Sequence, residues 1–211
     1  MDRVTDIISN GDVTTAIFHS DDHQEFNLLR RAALGYIQTW AVFCVTFHVN
    51  ITAKKEDALA QRLGMLIIDN EAFERDYLHL VKNDRYIVRV DIKGGDDVEF
   101  TTNDIELPWR DVTPIMPLLP GHHLVCDLHI KRFDAQGHHI KHCPLATFAP
   151  IPVPEGSEGS DGFGIRMMGI GMLSGEEILK RALDKMVVAA QDKSDNIFMK
   201  IAVPPKYRIQ M

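Results

Sequence analysis

Apolar residues recur along this chain with two periods, and the switches between them lay out its elements. Val4–Ile8 and Val13–Phe18 are short β-leaning runs on either side of Asn10-Gly11. An Asn-Gly pair between such runs predicts a hairpin, because both turn positions accept positive φ. Ser20-Asp21-Asp22 then supplies oxygens for a helix N-terminus, and Asp22 with Glu25 three residues on has the form of a cap. Phe26, Leu29, Ala33 and Tyr36 or Ile37 follow at helical spacing on one face. Trp40–Val49 changes to period two. Ala41, Phe43, Val45, Phe47 and Val49 fall on one side; Trp40, Val42, Cys44, Thr46 and His48 fall on the other. Both sides are largely apolar, which predicts a central strand or one covered on both faces. Glu25–Val49 is thus a helix–strand unit around which the rest can be arranged.

Lys54–Leu63 reads as a short helix, with Gly64 in the place of a C′ glycine. From about Asn70 to Thr147 the pattern is β and loop. Tyr86–Ile92 alternates as a strand, Lys93-Gly94-Gly95-Asp96 turns it, and Val98–Thr102 returns beside it. Pro108, Pro114, Pro117 and Pro120 punctuate an irregular connection. His123–Phe133 is a further strand, ending in a turn at Asp134–Gly137, with Ile140–Phe148 running back beside it. Pro150–Gly164 has the composition of a surface loop and marks a boundary. After an apolar strand over Phe163–Leu173, Ser174-Gly175-Glu176-Glu177 forms a capping box, with Leu173 and Ile178 as its hydrophobic staple. The helix it opens runs to about Gln191 and carries Ile178, Leu179, Ala182, Leu183, Met186 and Ala190 on one stripe. The tail from Ile197, with Pro204-Pro205, reads as a terminal strand or an arm. Such stripes most often pack within their own chain. Two of them, with few other helices to cover them, point to a partner.

Composition narrows the class. With 211 residues, 45% hydrophobic and 25% charged, the chain suits one ordinary domain or two small ones. At this length roughly 70% of the unfolded surface can be buried without staples. A formal net charge of −7 and a pI near 5.8 argue against broad phosphate-driven nucleic-acid binding. Cys44, Cys126 and Cys143 are odd in number and scattered, which predicts reduced thiols in an intracellular compartment. The N-terminal MDRVTDIISNGD has no apolar signal core, and no apolar run approaches ~18 residues. A soluble intracellular protein without a membrane partner is expected.

Candidate chemistry is sparse. No Walker loop, dinucleotide fingerprint, GxSxG elbow or HExxH appears. His122, His123, His129, His138, His139, His142 and Cys143 lie close in sequence. His129, His139, His142 and Cys143 offer the four ligands a zinc enzyme or zinc-binding protein would want. Their spacing matches no structural zinc pattern, and exposed or singly hydrogen-bonded histidines are the plainer reading. Histidines there also give the region a charge that varies near neutrality. Arg30-Arg31 ordinarily would solvate the outer face of its helix. Opposite so clean an apolar stripe, the guanidinium pair suits a carboxylate-bearing partner.

Four segments in order carry a family resemblance. Asn27-Leu28-Leu29-Arg30-Arg31 followed by Thr39-Trp40-Ala41-Val42 resembles the N-x-L-R-R…P-T-W-A-I pattern of the α-like assembly subunits of cellular RNA polymerases. These are the bacterial α subunit, its archaeal counterpart and the third-largest subunit of eukaryotic RNA polymerase II. Asp57–Ile67 is similar to the E-x-L-A-H-R-L-G-L-I-P-I segment, and Pro120-Gly121 with Gly137–Pro144 to the G…H-A-K-x-x-P region. Gly162–Leu179 resembles F-x-F-x-I-E-S-x-G-x-L-x-P-E-E-I-L. Gln38, Gln61, Ile68 and Gly175 depart from the family pattern, which implies a divergent member, with a large DNA virus as one source.

The resemblance implies an α+β fold: a split dimerisation domain, an antiparallel sheet with two amphipathic helices, carrying an inserted, mostly β domain. On this sequence that is 1–51 with 160–211, and 52–159. It implies a non-catalytic subunit without cofactor or resident metal, pairing with a smaller α-like subunit as a platform for the largest and second-largest subunits. Phosphoryl transfer is then the work of carboxylate-bound Mg²⁺ elsewhere. Phe26, Leu29, Ala33, Ile178, Leu179, Ala182, Leu183 and Met186 would face the small partner. Asn27, Arg30 and Arg31 would meet the second-largest subunit, with little direct nucleic-acid contact. The place of action would be nucleus or cytoplasm, or a virion for a viral member. A stand-alone interaction protein is the remaining alternative.

Overall fold

The computed structural model describes residues 4–20, 22–135, 140–153 and 162–191. The N-terminal hairpin pairs β1 (Val4–Asn10) with β2 (Val13–Phe18). Its two-residue turn is Gly11-Asp12, one residue later than the Asn-Gly pattern predicts, with Gly11 at φ +59. A glycine in the first central position is what a type II′ hairpin turn requires. β2 continues into β9 (Phe163–Gly169), and β9 into β8 (Leu145–Ile151), giving a four-stranded antiparallel sheet of order β1-β2-β9-β8. The two ends of the described chain therefore share one sheet.

Two helices cover its inner face. α1 (His23–Gly35) starts at Asp22, whose carboxylate accepts from the Gln24 N–H at 2.7 Å. Glu25 does not close the box; it accepts from the Ser20 hydroxyl at 2.7 Å instead. α4 (Gly175–Gln191) packs against α1. Ser174 accepts from the Glu177 N–H at 3.3 Å, half of the predicted box. The other half comes from elsewhere in the chain: the Ser174 N–H donates to Glu71 at 2.7 Å. Gly175 at the start of this helix has a steric cause. A Cβ there would lie 1.9 Å from the Thr14 hydroxyl of β2, so a side chain cannot be added without moving the strand.

A second, three-stranded antiparallel sheet has the order β3-β7-β4, from Thr39–Ile51, His123–Phe133 and Arg85–Lys93. β3 is an edge strand, contrary to its two apolar faces, and β7 is central. The apolar residues on both sides of its pattern come from a bulge between Val42 and Cys44. One extra residue reverses the alternation, so Trp40 and Val42 before it and Val45 and Phe47 after it all face one core. β4 does not return on β5 (Val98–Thr101). β5 pairs instead with β6 (Pro114–Leu118), inside the stretch expected to be irregular. Pro114 and Pro117 are tolerated because a two-stranded ribbon has only edges. The segment after β7 likewise leaves the second sheet, and β8 joins the first.

α2 (Glu56–Gly64) forms as expected, but Gly64 lies inside it and Met65, in the right-handed region, closes it. α3 (Asn70–Asp76) is a helix where the pattern indicated β and loop, capped by the Asp69 carboxylate on the Ala72 N–H at 3.0 Å. Two cores result. One gathers Phe18, Leu29, Ile37, Phe148, Ile165 and their neighbours between α1, α4 and the first sheet. The other gathers Leu59, Phe73, Phe100, Leu118, Leu128 and theirs over the second sheet. β3 belongs with the second sheet and β8 with the first. His138, His139 and the Pro204-Pro205 tail lie outside the described residues.

Asn70 ties the two cores together. Fully buried, its side-chain oxygen accepts from the Trp40 N–H, and its amide donates to the carbonyls of Trp40 at 3.1 Å and Ile68 at 2.9 Å. Its own N–H donates to Met172 O at 2.8 Å. Asn70→Leu is expected to cost about 3 kcal/mol, because it strands a buried N–H and leaves carbonyls short of donors. Urea unfolding should show the loss, whereas the exposed Asn103→Ala should stay within about 0.5 kcal/mol of the parent.

Candidate assembly surface

The residues predicted to face a partner are brought together, but within the chain. Phe26, Leu29 and Ala33 of α1 and Ile178, Leu179, Ala182 and Met186 of α4 are all buried in the first core. The helical stripes cover each other and the inner face of the first sheet. Phe26 also stacks near Phe148 and Phe163, with ring centroids 5.8 and 4.9 Å apart. Leu183 is only partly buried and sits at the margin of this core, as do Leu28 and Leu34. Those three leucines form the apolar rim of the helix pair, a position that a count of periodic residues does not separate from the stripe itself.

Asn27, Arg30 and Arg31 stand on the outer side of α1. The Asn27 side chain accepts from Arg30 Nε at 3.2 Å, which fixes one guanidinium along the helix. Arg31 is exposed and borders a groove of about 490 Å³ with Asp22, Gln24, Glu25, Asn27 and Leu28. The arginine pair is thus divided: Arg30 is held by its own helix and Arg31 faces outward.

A charged seam that the sequence did not disclose links α4, α3 and β7. Arg181 of α4, largely buried, donates to Glu177 at 2.6 Å and to Glu74 of α3 at 2.8 Å. Glu74 also lies 3.7 Å from Arg132 of β7. Glu71 one turn earlier receives the Ser174 N–H, and this hydrogen bond, followed by that of the Ser174 side chain, holds its carboxyl below the usual range. The links from α4 and β7 all meet on α3. The only local sign of them was the Asp69 cap ahead of a short acidic-and-apolar run.

The candidate zinc ligands among the described residues do not assemble. His129 stands on the outward face of β7 and shares a hydrogen bond with Thr46 at 2.9 Å. Burial, helped by the nearby Arg85 guanidinium, pulls its imidazole below the usual value. His142 is buried at the join between the sheets, its Nδ1–H donating to Thr39 O at 2.9 Å. The Cys143 sulfur lies 3.2 and 3.1 Å from the carbonyls of Leu34 and Leu145, and burial pushes its thiol up. His139 falls outside the described residues. Among the described residues no group of three His, Cys, Asp or Glu side chains is placed to hold a metal. No helix among them is long and apolar enough to cross a membrane.

No family model matches the chain. Curated relatives do, and both are α-like subunits of archaeal RNA polymerase, the class that the four sequence segments resemble. The chain is similar to the DNA-directed RNA polymerase subunit Rpo3 of Pyrococcus horikoshii, 30% identical over 120 residues, 53% of this chain and 45% of the relative. The Rpo3 of Pyrococcus furiosus matches with the same identity and coverage. The chain thus aligns with somewhat less than half the length of these relatives.

The Glu71 contact makes a pH prediction. A carboxyl held below its ordinary value of 4.5 contributes stability above that value and loses it as pH falls through the depressed one. Glu71→Gln should therefore lower the melting temperature at neutral pH and flatten the decline in acid. Because Glu71 is exposed, the effect is modest. Melting curves from neutral pH down through the carboxylate range would refute the assignment if the two proteins kept a constant gap.

Proposed function

We propose that this chain is a non-catalytic assembly subunit of a DNA-dependent RNA polymerase. It pairs with a smaller α-like subunit, and the pair forms the platform for the two large subunits inside the cell. The single observation that carries this reading is the 30% identity over 120 residues with archaeal Rpo3. A first sheet built from both ends of the described chain, with α1 and α4 upon it, supports the reading by supplying a helical layer at one side of the molecule. Phosphoryl transfer then falls to the large subunits, and this chain contributes shape and contacts.

The burial of the stripes refines the expected interface. Phe26, Leu29, Ala33, Ile178, Leu179, Ala182 and Met186 hold the two helices together, which sets the angle of the pair. The small subunit meets the rim of Leu28, Leu34 and Leu183, where apolar surface is left over. Asn27, Arg30 and Arg31 meet a large subunit, with Arg31 free to reach a carboxylate and Arg30 steadied by Asn27.

Co-expression with the small α-like subunit should give a stable 1:1 complex by size-exclusion chromatography. Leu34→Asp should weaken that complex by about 2 kcal/mol or more, since it places an unpaired charge in an apolar contact. Arg31→Glu should leave the pair intact and prevent capture of the large subunits. Wild-type assembly by both variants, or a chain indifferent to the small subunit, contradicts this reading.

A further inference from the structure

The outward face of the β3-β7-β4 sheet runs against the charge of the chain. Val88 and Val90 of β4 point into the core, so Arg85, Ile87, Arg89, Asp91 and Lys93 stand on the opposite face. Leu124, Cys126, Leu128 and Ile130 likewise place His123, Asp127, His129 and Lys131 of β7 there, with the buried Val125 between the first two. Past its bulge, β3 adds Thr46 and His48. The register sets Lys131 beside Arg85 at one end of β4 and His123 beside Lys93 at the other.

Both carboxylates of this face are already held. Asp127 receives His48 at 2.7 Å and Arg89 at 3.4 Å, and Asp91 pairs with His123 at 2.9 Å. Arg85 and Lys93 have no carboxylate partner among the described residues, and the Lys131 ammonium lies over the rings of Phe43 and Phe133. In a chain of net charge −7, this face presents a surplus of cations. It extends roughly 27 Å from Arg85 to Lys93 at about 3.4 Å per residue. Half-exposed Ile87 lies between them as an apolar foothold. Cations on an edge strand also discourage stray strand pairing. That role needs charge at the edge, and Lys131 stands on the central strand, so the surplus belongs to the face.

We propose that this face docks an acidic polypeptide segment of a partner, laid along β4. The carboxylates of such a segment meet Arg85, Lys131 and Lys93, and one apolar side chain settles on Ile87. Charge complementarity selects the partner and makes the contact weaken with salt. The inference is independent of the polymerase reading, and so is its test.

Fluorescence anisotropy of the full chain with a labelled oligoglutamate peptide reads the contact directly. Binding at low ionic strength is expected, with affinity at least about tenfold lower in Arg85→Glu/Lys93→Glu. The milder Arg85→Gln/Lys93→Gln should give an intermediate loss and serves if the reversal disturbs folding. Arg75→Glu, on an exposed arginine of α3 paired with Asp76, should bind like the parent. Absence of peptide binding, an equal loss in the Arg75 variant, or tighter binding of a single-stranded oligonucleotide of matched charge overturns the proposal.

Discussion

The architecture depends on one buried amide. Asn70 brings a donor and an acceptor to a place where two backbones, of β3 and of the segment before α3, would otherwise leave polar groups unmatched. A buried N–H or carbonyl without a partner is expensive, so Asn70 fixes β3 relative to α3 more firmly than apolar contact alone. Its own N–H reaches Met172, just ahead of α4, so the same residue locates the last helix. Once Asn70 is placed, Glu71 lies under the Ser174 N–H and Glu74 lies beside Arg181. Three positions of one short helix thereby address three different parts of the chain.

Around that constraint the two cores divide the work. The first is closed by α1 and α4 against one another, with Leu28, Leu34 and Leu183 partly buried at its margin and Arg31 exposed outside it. The second is closed by α2, α3 and the β5-β6 ribbon on one side of its sheet and leaves the other side rich in charged residues with a few apolar ones among them. Lys141 secures the join, its ammonium donating to the carbonyls of Val42 and Phe43 at 3.0 and 3.2 Å, where the β3 bulge interrupts the ladder.

What was legible in the sequence was local. The N-terminal hairpin, the cap at Asp22, the cap at Ser174 and the strand His123–Phe133 all announce themselves through neighbours within a few residues. Pairings between distant strands were not legible. Tyr86–Ile92 and Val98–Thr102 have the spacing of a hairpin, yet β4 finds more apolar surface beside β7 and β5 finds its partner in a proline-bearing strand. α3 escaped because seven residues are too few for a helical period to show. The residues of the two helical stripes are legible as one apolar set, but a stripe reads the same whether it is covered by its own chain or by another. The outward cations of β4 were hidden by the alternation that identified the strand.

The bulge in β3 makes inside and outside along that strand a matter of counting. Ahead of Phe43 the even positions are interior; from Val45 to Phe47 the odd ones are, until a second bulge between Phe47 and Val49 shifts the register again. Removal of that single residue would restore a plain alternation and turn Val45 and Phe47 to water while driving Thr46 and His48 inward. A substitution here is a local event, but a one-residue deletion would invert the stretch between the two bulges. Length in this segment is therefore under tighter constraint than identity, and related chains that drift freely in sequence should still preserve the number of residues between Trp40 and Phe47.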